Sequence, residues 1–460
     1  MDLHSVGESE SRFRAYIDRI AGVVGHPARK RPLRDYCIGL MGPSERKSVE
    51  PIAAITAPDR TSAQHQSLLH FVAESEWSDE DVLTKVRDIV LPTFEAHGSI
   101  EAWIIDDTGF PKQGKHSVGV APQYCGQLGR EGNCQVAVSL SVANHHASLP
   151  IAYRMYLPRE WANDRKRRRK AGVPRAIRFM TKPQIALDQI KAALAAGIAP
   201  GVVLMDADYG RDGNLRAELR TLELNYVAAI QSSPMVWRLG SGPKLGRRLP
   251  KAREEDADLV SVKDVALALP KCAWKTIRWR EGTAEWLSSR FARIRVRLAR
   301  EEEQWLLIEW PRDTKAPAKY WLSNLPEDIA FDKLVDIAKL RWRIERDYQE
   351  LKQELGLGHY EGRGWRGFHH HATLCIAAYG FLISERETIP PSGARSAAPF
   401  AHIAIPESYK PRGAAAASRA TRAQFDRNHA SASGHWTGRT SAALSLLRQS
   451  EIPASKQVTQ

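Results

Sequence analysis

Aspartates follow short apolar runs at two separate places in this 460-residue sequence. The run "WIIDD" ends in Asp106 and Asp107, and the run "GVVLMD" ends in Asp206, with Asp208 two residues further on. Runs of this length are typical of buried strands, and an ionised carboxylate beside a buried strand is costly unless a cation compensates it. Each aspartate is therefore a turn-capping residue or a ligand for a divalent cation. If the two strands are adjacent, their carboxylates can share metal ions as two-metal phosphoryl transfer requires.

A third group of charged residues lies in "KLRWRIERDYQELKQELG". Arg341, Glu345 and Lys352 are four and seven residues apart, so they share one stripe of a helix. A carboxylate between two cations suits a metal ligand flanked by phosphate-binding groups. The alternative is an exposed helix on which Arg341 and Glu345 form an ordinary i, i+4 ion pair.

Hydrophobic periodicity predicts the elements that must position these groups. Residues 1–98 carry apolar positions at three- and four-residue spacing, which indicates helices. Short strands follow from residue 102, with a hairpin turn near 145–148, and helices then alternate with strands from about 182 to 232. The order of these strands and helices is similar to that of a ribonuclease H-like α/β core. The similarity is one of element order alone.

The rest of the sequence has a different character. Residues 233–326 are basic and strand-rich, and in "RFARIRVRL" arginine alternates with apolar residues, so one face of that strand is basic. A single long helix is predicted over about 330–355, and another apolar helix includes "FHHHATLC". Beyond 390 the chain is rich in Ala, Ser, Pro and Arg without periodicity, which predicts a basic, disordered tail.

Composition restricts the partners and the compartment. Lys and Arg number 67 against 53 Asp and Glu, which gives a net charge of +14 and a pI near 9.6, so polyanions are the first partners to consider. The N-terminus lacks a signal-peptide pattern and no stretch approaches a membrane span, so we expect a cytoplasmic protein without a membrane partner. Scattered cysteines without a C-x-x-C pair argue against zinc modules and disulfide frameworks. These are Cys37, Cys125, Cys134, Cys272 and Cys375.

Taken together, the motifs resemble those of the DDE transposases of bacterial insertion sequences. Arg341, Glu345 and Lys352 match the family signature Y-x-x-R-x-x-x-E-x-x-x-x-x-x-K in full spacing, while Ala338 stands where the Tyr would be. The stretches "DDTGFPKQGKHSVGVAPQYCGQLG", "NCQVAVSLSVAN" and "GHYEGRGWRGFHHH" are similar to those of a subgroup with a long loop after its first Asp. The resemblance extends from about 30 to 390.

The resemblance implies an α/β ribonuclease H-like catalytic core that is interrupted by a β-rich insertion and preceded by a helical DNA-binding region. Matching "DDT" to the first motif of the family selects Asp107 over Asp106, and matching "DADYG" selects Asp206, while Asp208 replaces a usual Gly. With Glu345, these residues would bind two Mg²⁺ ions, for which Mn²⁺ can substitute. The implied partners are double-stranded DNA at transposon ends and target sites, and a second copy of the chain in the active complex, which would be nucleoid-associated. The predicted domains are a helical region 1–98, a core 99–232, an insertion 233–326, the C-terminal core helices 327–390 and the tail 391–460.

Several basic residues are candidates for contact with DNA phosphates. The loop with Lys112 and Lys115 lacks the order of a nucleotide-binding P-loop, so it is a DNA contact or an ordinary solvated loop. The run "RKRRRK" is either a solvated charged segment or a track for phosphates. The predicted DNA-binding residues are Arg341, Lys352, Lys112, Lys115, Arg165, Lys166, Arg167 and Arg168.

Histidines and tryptophans form two further groups of side chains with alternative roles. The consecutive histidines His369, His370 and His371 point about 100° apart on a helix, which disfavours a shared metal and favours helix capping or DNA contact. The tryptophans of the predicted insertion are expected to pack in its core, or one of them to stack on a flipped base. They are Trp274, Trp279, Trp286, Trp305 and Trp310.

Three functions follow from these patterns. The first is an active transposase, for which all three acidic ligands are present. The second is a cleavage-deficient, transposase-derived DNA-binding protein, which the missing Tyr at 338 and the unusual tail leave open. The third is a metal-dependent nuclease such as a junction resolvase, which would share the core but would not require the full stripe of Arg, Glu and Lys.

Overall fold

A computed structural model describes residues 3–238, 259–281, 286–298 and 301–388 of the chain. Tertiary contacts group residues 10–390 into one unit and residues 1–9 with 391–460 into another, and the elements that matter here belong to the first. The predicted disordered tail lies outside the described residues. All five cysteines are free thiols, and within the described ranges we find no helix with the length and apolarity to cross a membrane.

The chain forms a mixed α/β structure, as the sequence predicts. The helices are α1 (Leu3–Ala21), α2 (Lys30–Met41), α3 (Val49–Thr56), α4 (Thr61–Leu69), α5 (Asp79–Glu95), α6 (Arg159–Asn163), α7 (Arg165–Lys170), α8 (Lys182–Ala195), α9 (Ala207–Gly210), α10 (Gly213–Thr221), α11 (Val262–Ala268), α12 (Phe331–Leu340), α13 (Trp342–Gln353) and α14 (Trp365–Thr388). The strands are β1 (Ala102–Pro111), β2 (Ala121–Cys125), β3 (Arg130–Ala143), β4 (Ser148–Met155), β5 (Val202–Met205), β6 (Tyr226–Ile230), β7 (Met235–Arg238), β8 (Val260–Ser261), β9 (Lys275–Glu281), β10 (Trp286–Arg297), β11 (Glu303–Trp310) and β12 (Lys319–Ser323).

The strands join into one large mixed sheet. Its order is β2-β3-β1-β5-β6-β12-β11-β10-β7-β8, with β4 paired to β3 and β9 paired to β10. β1 runs parallel to β5, and β5 runs parallel to β6, whereas β3 is antiparallel to both β1 and β4. The strands of the basic, strand-rich segment 233–326 continue this sheet, because β12 pairs antiparallel with β6.

The helices of the first hundred residues pack around the last helix. The predicted helical character of this region is confirmed, and α14 lies against α2, α5 and β4. Tyr16 donates a hydrogen bond to the carbonyl of Ala377 at 2.7 Å, which fixes α1 to the same helix. Because α14 is buried along most of its length, it serves as the core around which the N-terminal helices assemble.

The three histidines of α14 are buried, so the expectation that they cap the helix or contact DNA is wrong. The ring nitrogens of His370 lie 3.0 Å and 2.9 Å from the carbonyls of Val72 and Trp77, and its ring stacks on Trp77. Nδ1 of His371 lies 2.9 Å from the hydroxyl of Tyr36. Burial lowers the pKa of both histidines to about 4. Each neutral ring has a single N–H, so His370 donates to only one of its two carbonyl neighbours.

The helix predicted over 330–355 is two helices, with Arg341 between them. α12 ends at Leu340 and α13 begins at Trp342, while Arg341 keeps helical dihedrals of φ −55° and ψ −22°. The amide of Ile344 bonds to the carbonyl of Arg341 at 3.1 Å, a tighter i to i−3 bond than an α-helix uses. Across this junction Arg341 keeps its i, i+4 contact with Glu345 and also contacts Asp106 of β1.

The tryptophans of the strand-rich segment pack within it. Trp274 and Trp310 meet edge to face at 5.3 Å, and Trp279 meets Phe291 at 5.6 Å. Trp305 is buried and donates to the carbonyl of Pro326 at 3.0 Å. Core packing is therefore confirmed for Trp305 and for Trp274, which packs against a buried cluster, whereas Trp279 and Trp310 are half-buried. The side chain of Trp286 lies outside the described residues.

Candidate active site

The first acidic strand and the second are neighbours in the sheet. β1 and β5 are parallel with Ile104 opposite Leu204, so two residues further on Asp106 is level with Asp206, which directly follows β5. The carboxyl ends of adjacent parallel strands meet at one edge of a sheet. The sequence predicted such a convergence only if the two strands were adjacent, and it named Asp107 as the first ligand. The pairing of β1 with β5 shows that the strands are adjacent.

Asp106 and Asp107 face opposite sides of the sheet, because successive side chains of a strand alternate. Asp106 lies across from Ser139, whose hydroxyl is 2.6 Å from that of Tyr348 in α13. Asp107 pairs instead with Lys182 at the start of α8, with Nζ and Oδ2 2.9 Å apart. The helix that carries Glu345 therefore covers the Asp106 face.

Arg341 connects the three acidic positions on this face. Its Nη2 lies 3.1 Å from Oδ1 of Asp106 and 4.0 Å from Oδ2 of Asp206. Its Nη1 lies 3.5 Å from Oε1 of Glu345, which is the predicted i, i+4 pair. One guanidinium thus draws together carboxylates from β1, from the end of β5 and from α13.

Asp206 combines a structural contact with a contact in the site. Its Oδ1 accepts the backbone N–H groups of Asp208 and Tyr209 at 3.0 Å and 3.1 Å, so it caps the N-terminus of α9. Its Oδ2 faces Arg341. The two interpretations of a strand-end Asp, cap or ligand, are thus compatible, because each oxygen serves one of them.

The electrostatics of the cluster indicate an excess of negative charge. Burial, together with the carboxylates of Asp206 and Asp107, raises the pKa of Asp106 to about 7 in spite of the nearby Arg341. Burial alone would lower the pKa of Arg341, but Asp106, Asp206 and Glu345 raise it above its usual value. Three carboxylates share one cation, and Glu345 is still 71% exposed. Carboxylate oxygens with unbalanced charge are ligands that divalent metal ions prefer, but here Arg341 bridges them and the oxygens of the three residues are not all within 4.8 Å of one another.

Comparison with known proteins gives the same family as the motifs. Residues 19–285, more than half of the chain, match the model of the family described as DDE superfamily endonuclease. The chain belongs to this family. It is also similar to a protein named "Probable transposase for insertion sequence element IS701" from Microchaete diplosiphon, with 33% identity over 200 residues. That match covers 43% of this chain and 48% of the relative, so the chain spans about half the length of the curated relative.

Lys352 lies beside β1 rather than beside the carboxylates. Its Nζ donates to the carbonyl of Gly109 at 3.1 Å and lies 5.2 Å from the centre of the Phe110 ring. Burial lowers its pKa. Asp208 is exposed, with Arg211 3.9 Å from its carboxylate. The structure therefore brings Arg341 and Glu345 to the cluster and holds Lys352 next to it, at the far end of the same strand.

Among the other residues predicted to contact DNA phosphates, some are bonded within the protein and others are exposed to solvent. Lys112 donates to the carbonyl of Tyr360 at 2.7 Å, and burial lowers its pKa, while Lys115 is exposed. In α7 the guanidinium of Arg168 donates to three backbone carbonyls, and that of Arg167 lies over the ring of Trp161. The side chains of α7 exposed to solvent are Arg165, Lys166, Arg169 and Lys170.

Among the described residues, the group whose ligand atoms have the spacing of a metal site is a different one, Glu101, His145 and Asp336. Lys333 already pairs with both carboxylates of this group, with Nζ 2.6 Å from Glu101 and 3.2 Å from Asp336. These bonds raise the pKa of Lys333, although its burial alone would lower it. We therefore interpret the group as an ion-pair cluster that ties α12 to the start of β1.

Sequence analysis missed three residues that support the site. Lys182 and Tyr209 both bond to Asp107, on the other face of β1. The hydroxyl of Tyr209 is 3.3 Å from Oδ2 of Asp107. Lys339, two residues before Arg341, pairs with Glu309 at 2.6 Å, and its Nζ lies 4.4 Å from the ring centre of Trp279 and 5.5 Å from that of Trp321. Apolar residues of α12 flank Lys339 in the sequence. No local pattern therefore predicts that this lysine lies against a carboxylate and aromatic rings.

Proposed function

We propose that this DDE endonuclease is a transposase that cleaves DNA at the terminal inverted repeats of an insertion sequence and joins the ends to target DNA. The observation that carries the proposal is the convergence of Asp106, Asp206 and Glu345 around Arg341. The named relative is a transposase by its title, which supports the same direction.

The topology supports a ribonuclease H-like core for this reaction. The order β4-β3-β1-β5-β6, with three antiparallel strands followed by two strands parallel to β1, is that of such a core. On this interpretation residues 233–326 are an insertion between β6 and α12, and the strands that it contributes extend the sheet from β6 onward. The remaining domain limits, including a DNA-binding role for residues 1–98, belong to the same proposal.

We assign the metal ligands to Asp106, Asp206 and Glu345. The resemblance to the family selects Asp107 at the first position, but Asp107 faces α8 and is neutralised there by Lys182. Asp106 faces α13 together with the other two carboxylates. Divalent ions held there, Mg²⁺ or Mn²⁺, would activate a water or a 3′-hydroxyl and stabilise the leaving oxygen.

The side chains of the chain itself prepare this chemistry. Asp206 is fixed by its two backbone N–H bonds, so its free oxygen has a defined direction. Arg341 is planar and always charged, which suits it to bind a DNA phosphate as a fork beside the carboxylates. Lys352 and the exposed Lys115 extend the positive surface along β1 and its following loop, where the phosphates on either side of the cut would lie.

The experiment that tests this function uses the full chain and a plasmid that carries the gene with its flanking DNA. In Mg²⁺ the protein should cut at both boundaries of the element, and Glu345→Gln should bind the same DNA without cutting it. Binding by the wild-type chain without any cut would favour the cleavage-deficient protein. Cuts without preference for the boundaries would favour a general nuclease.

Assembly is part of the same proposal. Two transposon ends must be cut together, so the active complex would be a dimer on DNA. Mixing wild-type chains with Glu345→Gln chains should then reduce double-end cleavage as about the square of the wild-type fraction, because both subunits must be intact. A linear fall would indicate that single chains act independently.

A further inference from the structure

Arg341 is the cation that the three carboxylates of the proposed metal site share. Its Nη2 lies 3.1 Å from Oδ1 of Asp106 and 4.0 Å from Oδ2 of Asp206, and its Nη1 lies 3.5 Å from Oε1 of Glu345. The oxygens of these three residues are not all within 4.8 Å of one another. Around one Mg²⁺ ion, with bonds of about 2.1 Å, ligand oxygens lie only about 3–4 Å apart. The bridging guanidinium therefore keeps the carboxylates further apart than a shared metal ion requires.

The guanidinium and a shared metal ion need the same oxygens. Asp206 offers only Oδ2 to this space, because two backbone N–H groups of α9 bond to its Oδ1. Asp106 belongs to β1, and its side chain is 14% exposed, whereas that of Glu345 is 71% exposed and has the most room to move. Contraction of the site around an ion would therefore bring Glu345 inward and displace Arg341 from between the carboxylates.

One nitrogen of Arg341 is unsatisfied where the side chain lies among the carboxylates. Its Nε is buried, and no acceptor among the described residues bonds to it. A buried donor without an acceptor is costly, so this position satisfies the guanidinium incompletely. A phosphate accepts from two nitrogens of a guanidinium together, as a bidentate pair. A DNA phosphate would therefore satisfy the donor that the carboxylates leave unpaired.

The backbone on both sides of Arg341 is fixed, so a change of partner needs only a rotation of the side chain. Before it, Lys339 pairs with Glu309 at 2.6 Å. After it, the hydroxyl of Tyr348 lies 2.6 Å from that of Ser139 in β3. The long side chain of an arginine has several staggered rotamers. Arg341 can thus exchange one set of oxygens for another while α12 and α13 stay in place.

We propose that Arg341 competes with divalent ions for the carboxylates of Asp106, Asp206 and Glu345, and that the displaced guanidinium binds a DNA phosphate. The proposal rests on the proposed function, because it takes the metal ligands and the DNA from it. Both the ions and DNA then favour the same displaced position of Arg341. Each of the two ligands therefore strengthens the binding of the other, and by the same factor.

The first test follows the position of Arg341 in the wild-type chain without DNA. Phenylglyoxal modifies accessible guanidinium groups, and mass spectrometry of the peptides compares its extent in EDTA and in Mn²⁺. Release from the carboxylates should raise the modification of Arg341 at least about threefold in Mn²⁺. Arg346, which pairs with Glu350 at 2.9 Å on the same helix, is the internal control and should not change. Equal modification of Arg341 in both buffers, or a rise at both arginines, would overturn the competition.

The second test measures the affinity for Mn²⁺ without DNA, from the EPR signal of the free ion. Arg341→Gln removes the competitor, so it should bind Mn²⁺ about tenfold more tightly than wild type, since no charged hydrogen bonds must first be broken. Arg346→Gln removes a cation of α13 whose partner is Glu350, and it should stay within about twofold of wild type. Unchanged or weaker binding by Arg341→Gln, or an equal gain in both variants, would contradict the proposal. The first test needs no variant and decides even where Arg341→Gln does not fold.

The third test separates the phosphate contact from the transposase reaction. A duplex of about 30 base pairs from the element boundary is bound in EDTA and in Ca²⁺ at equal ionic strength. Ca²⁺ should strengthen binding by the wild-type chain about tenfold, and by Arg341→Gln no more than about threefold. Equal strengthening in both would overturn the contact between Arg341 and a DNA phosphate. If the wild-type chain shows the exchange but never cuts at the boundaries, the transposase function fails and the competition at Arg341 stands.

Discussion

Two neighbouring aspartates of β1 show how differently the two faces of one sheet are used. Asp107 pairs with Lys182 and accepts a hydrogen bond from the hydroxyl of Tyr209, so one cation balances one carboxylate. Asp106 meets one arginine that must also serve Asp206 and Glu345. One face is electrostatically complete, whereas the other has more negative charge than its own cation can balance. The metal-dependent reaction that we propose is therefore assigned to the second face.

The comparison predicts its largest effect for cleavage. Asp106→Asn should reduce the rate of cleavage at the element boundaries in Mg²⁺ by at least about a thousandfold, because it removes a ligand charge from a site that needs all three. Asp107→Asn should reduce the rate by no more than about tenfold. Binding of both variants to the same DNA, measured in Ca²⁺, should stay near the wild-type level. A dead Asp107→Asn chain beside an active Asp106→Asn chain would return the ligand to Asp107.

The next effect concerns stability without metal. Arg341→Gln leaves three carboxylates without a cation, so in EDTA it should destabilise the fold by about 3 kcal/mol, and Ca²⁺ should restore a large part of the loss. Lys182→Met should cost about 1–2 kcal/mol, because the hydroxyl of Tyr209 still bonds to Asp107. Urea unfolding in EDTA and in Ca²⁺ measures both. Equal rescue of the two variants by Ca²⁺ would mean that the two faces do not differ in metal binding.

A pH dependence follows from the raised pKa of Asp106. The folded chain holds this proton up to a pKa of about 7, whereas the unfolded chain releases it near 3.8. The folded state thus binds more protons at this group between these values, so the contribution of Asp106 to stability is full below about pH 4 and is lost as pH rises through 7, by up to about 4 kcal/mol. Relative to Asp106→Asn, the wild-type chain in EDTA should lose melting temperature across this range. A constant difference between the two from pH 4 to 8 would contradict the raised pKa.

Part of this arrangement was predictable from sequence. The apolar runs before Asp106 and Asp206 predicted strand ends, and the spacing of Arg341 and Glu345 predicted a shared stripe, because local periodicity determines both. The choice between Asp106 and Asp107 was not predictable, since alternation says that they face opposite sides but not which side α13 covers. That depends on contacts such as the one between Ser139 and Tyr348, which are 209 residues apart.

The junction of α12 and α13 at Arg341 and the contacts of Lys339 could not be predicted from the sequence, for the same reason. A helical pattern continues through both residues, so the sequence predicts one helix. The carboxylate of Glu309 and the rings that surround Lys339 come from strands of the basic segment, far away in the chain. Local patterns do not encode these tertiary contacts, which surround Lys339 next to the junction of α12 and α13.

The smallest predicted effect compares two hydroxyl groups, one on each face of the same sheet. Tyr209→Phe removes the 3.3 Å bond to Asp107, and Tyr348→Phe removes the 2.6 Å bond to Ser139. Each should lower stability by about 1 kcal/mol, since a phenyl ring conserves the packing and only a hydrogen bond is lost.

Cleavage should distinguish the two variants even though stability does not. Tyr348 fixes α13, and hence Glu345, against the face of Asp106, and a small displacement of a catalytic group is costly to the rate. Tyr348→Phe should therefore slow boundary cleavage by about three- to tenfold, while Tyr209→Phe stays within about twofold of wild type. The rates are compared at saturating DNA and at a temperature where both variants are fully folded. If Tyr209→Phe were the slower variant, the face of Asp107 would be the one that positions the reacting groups.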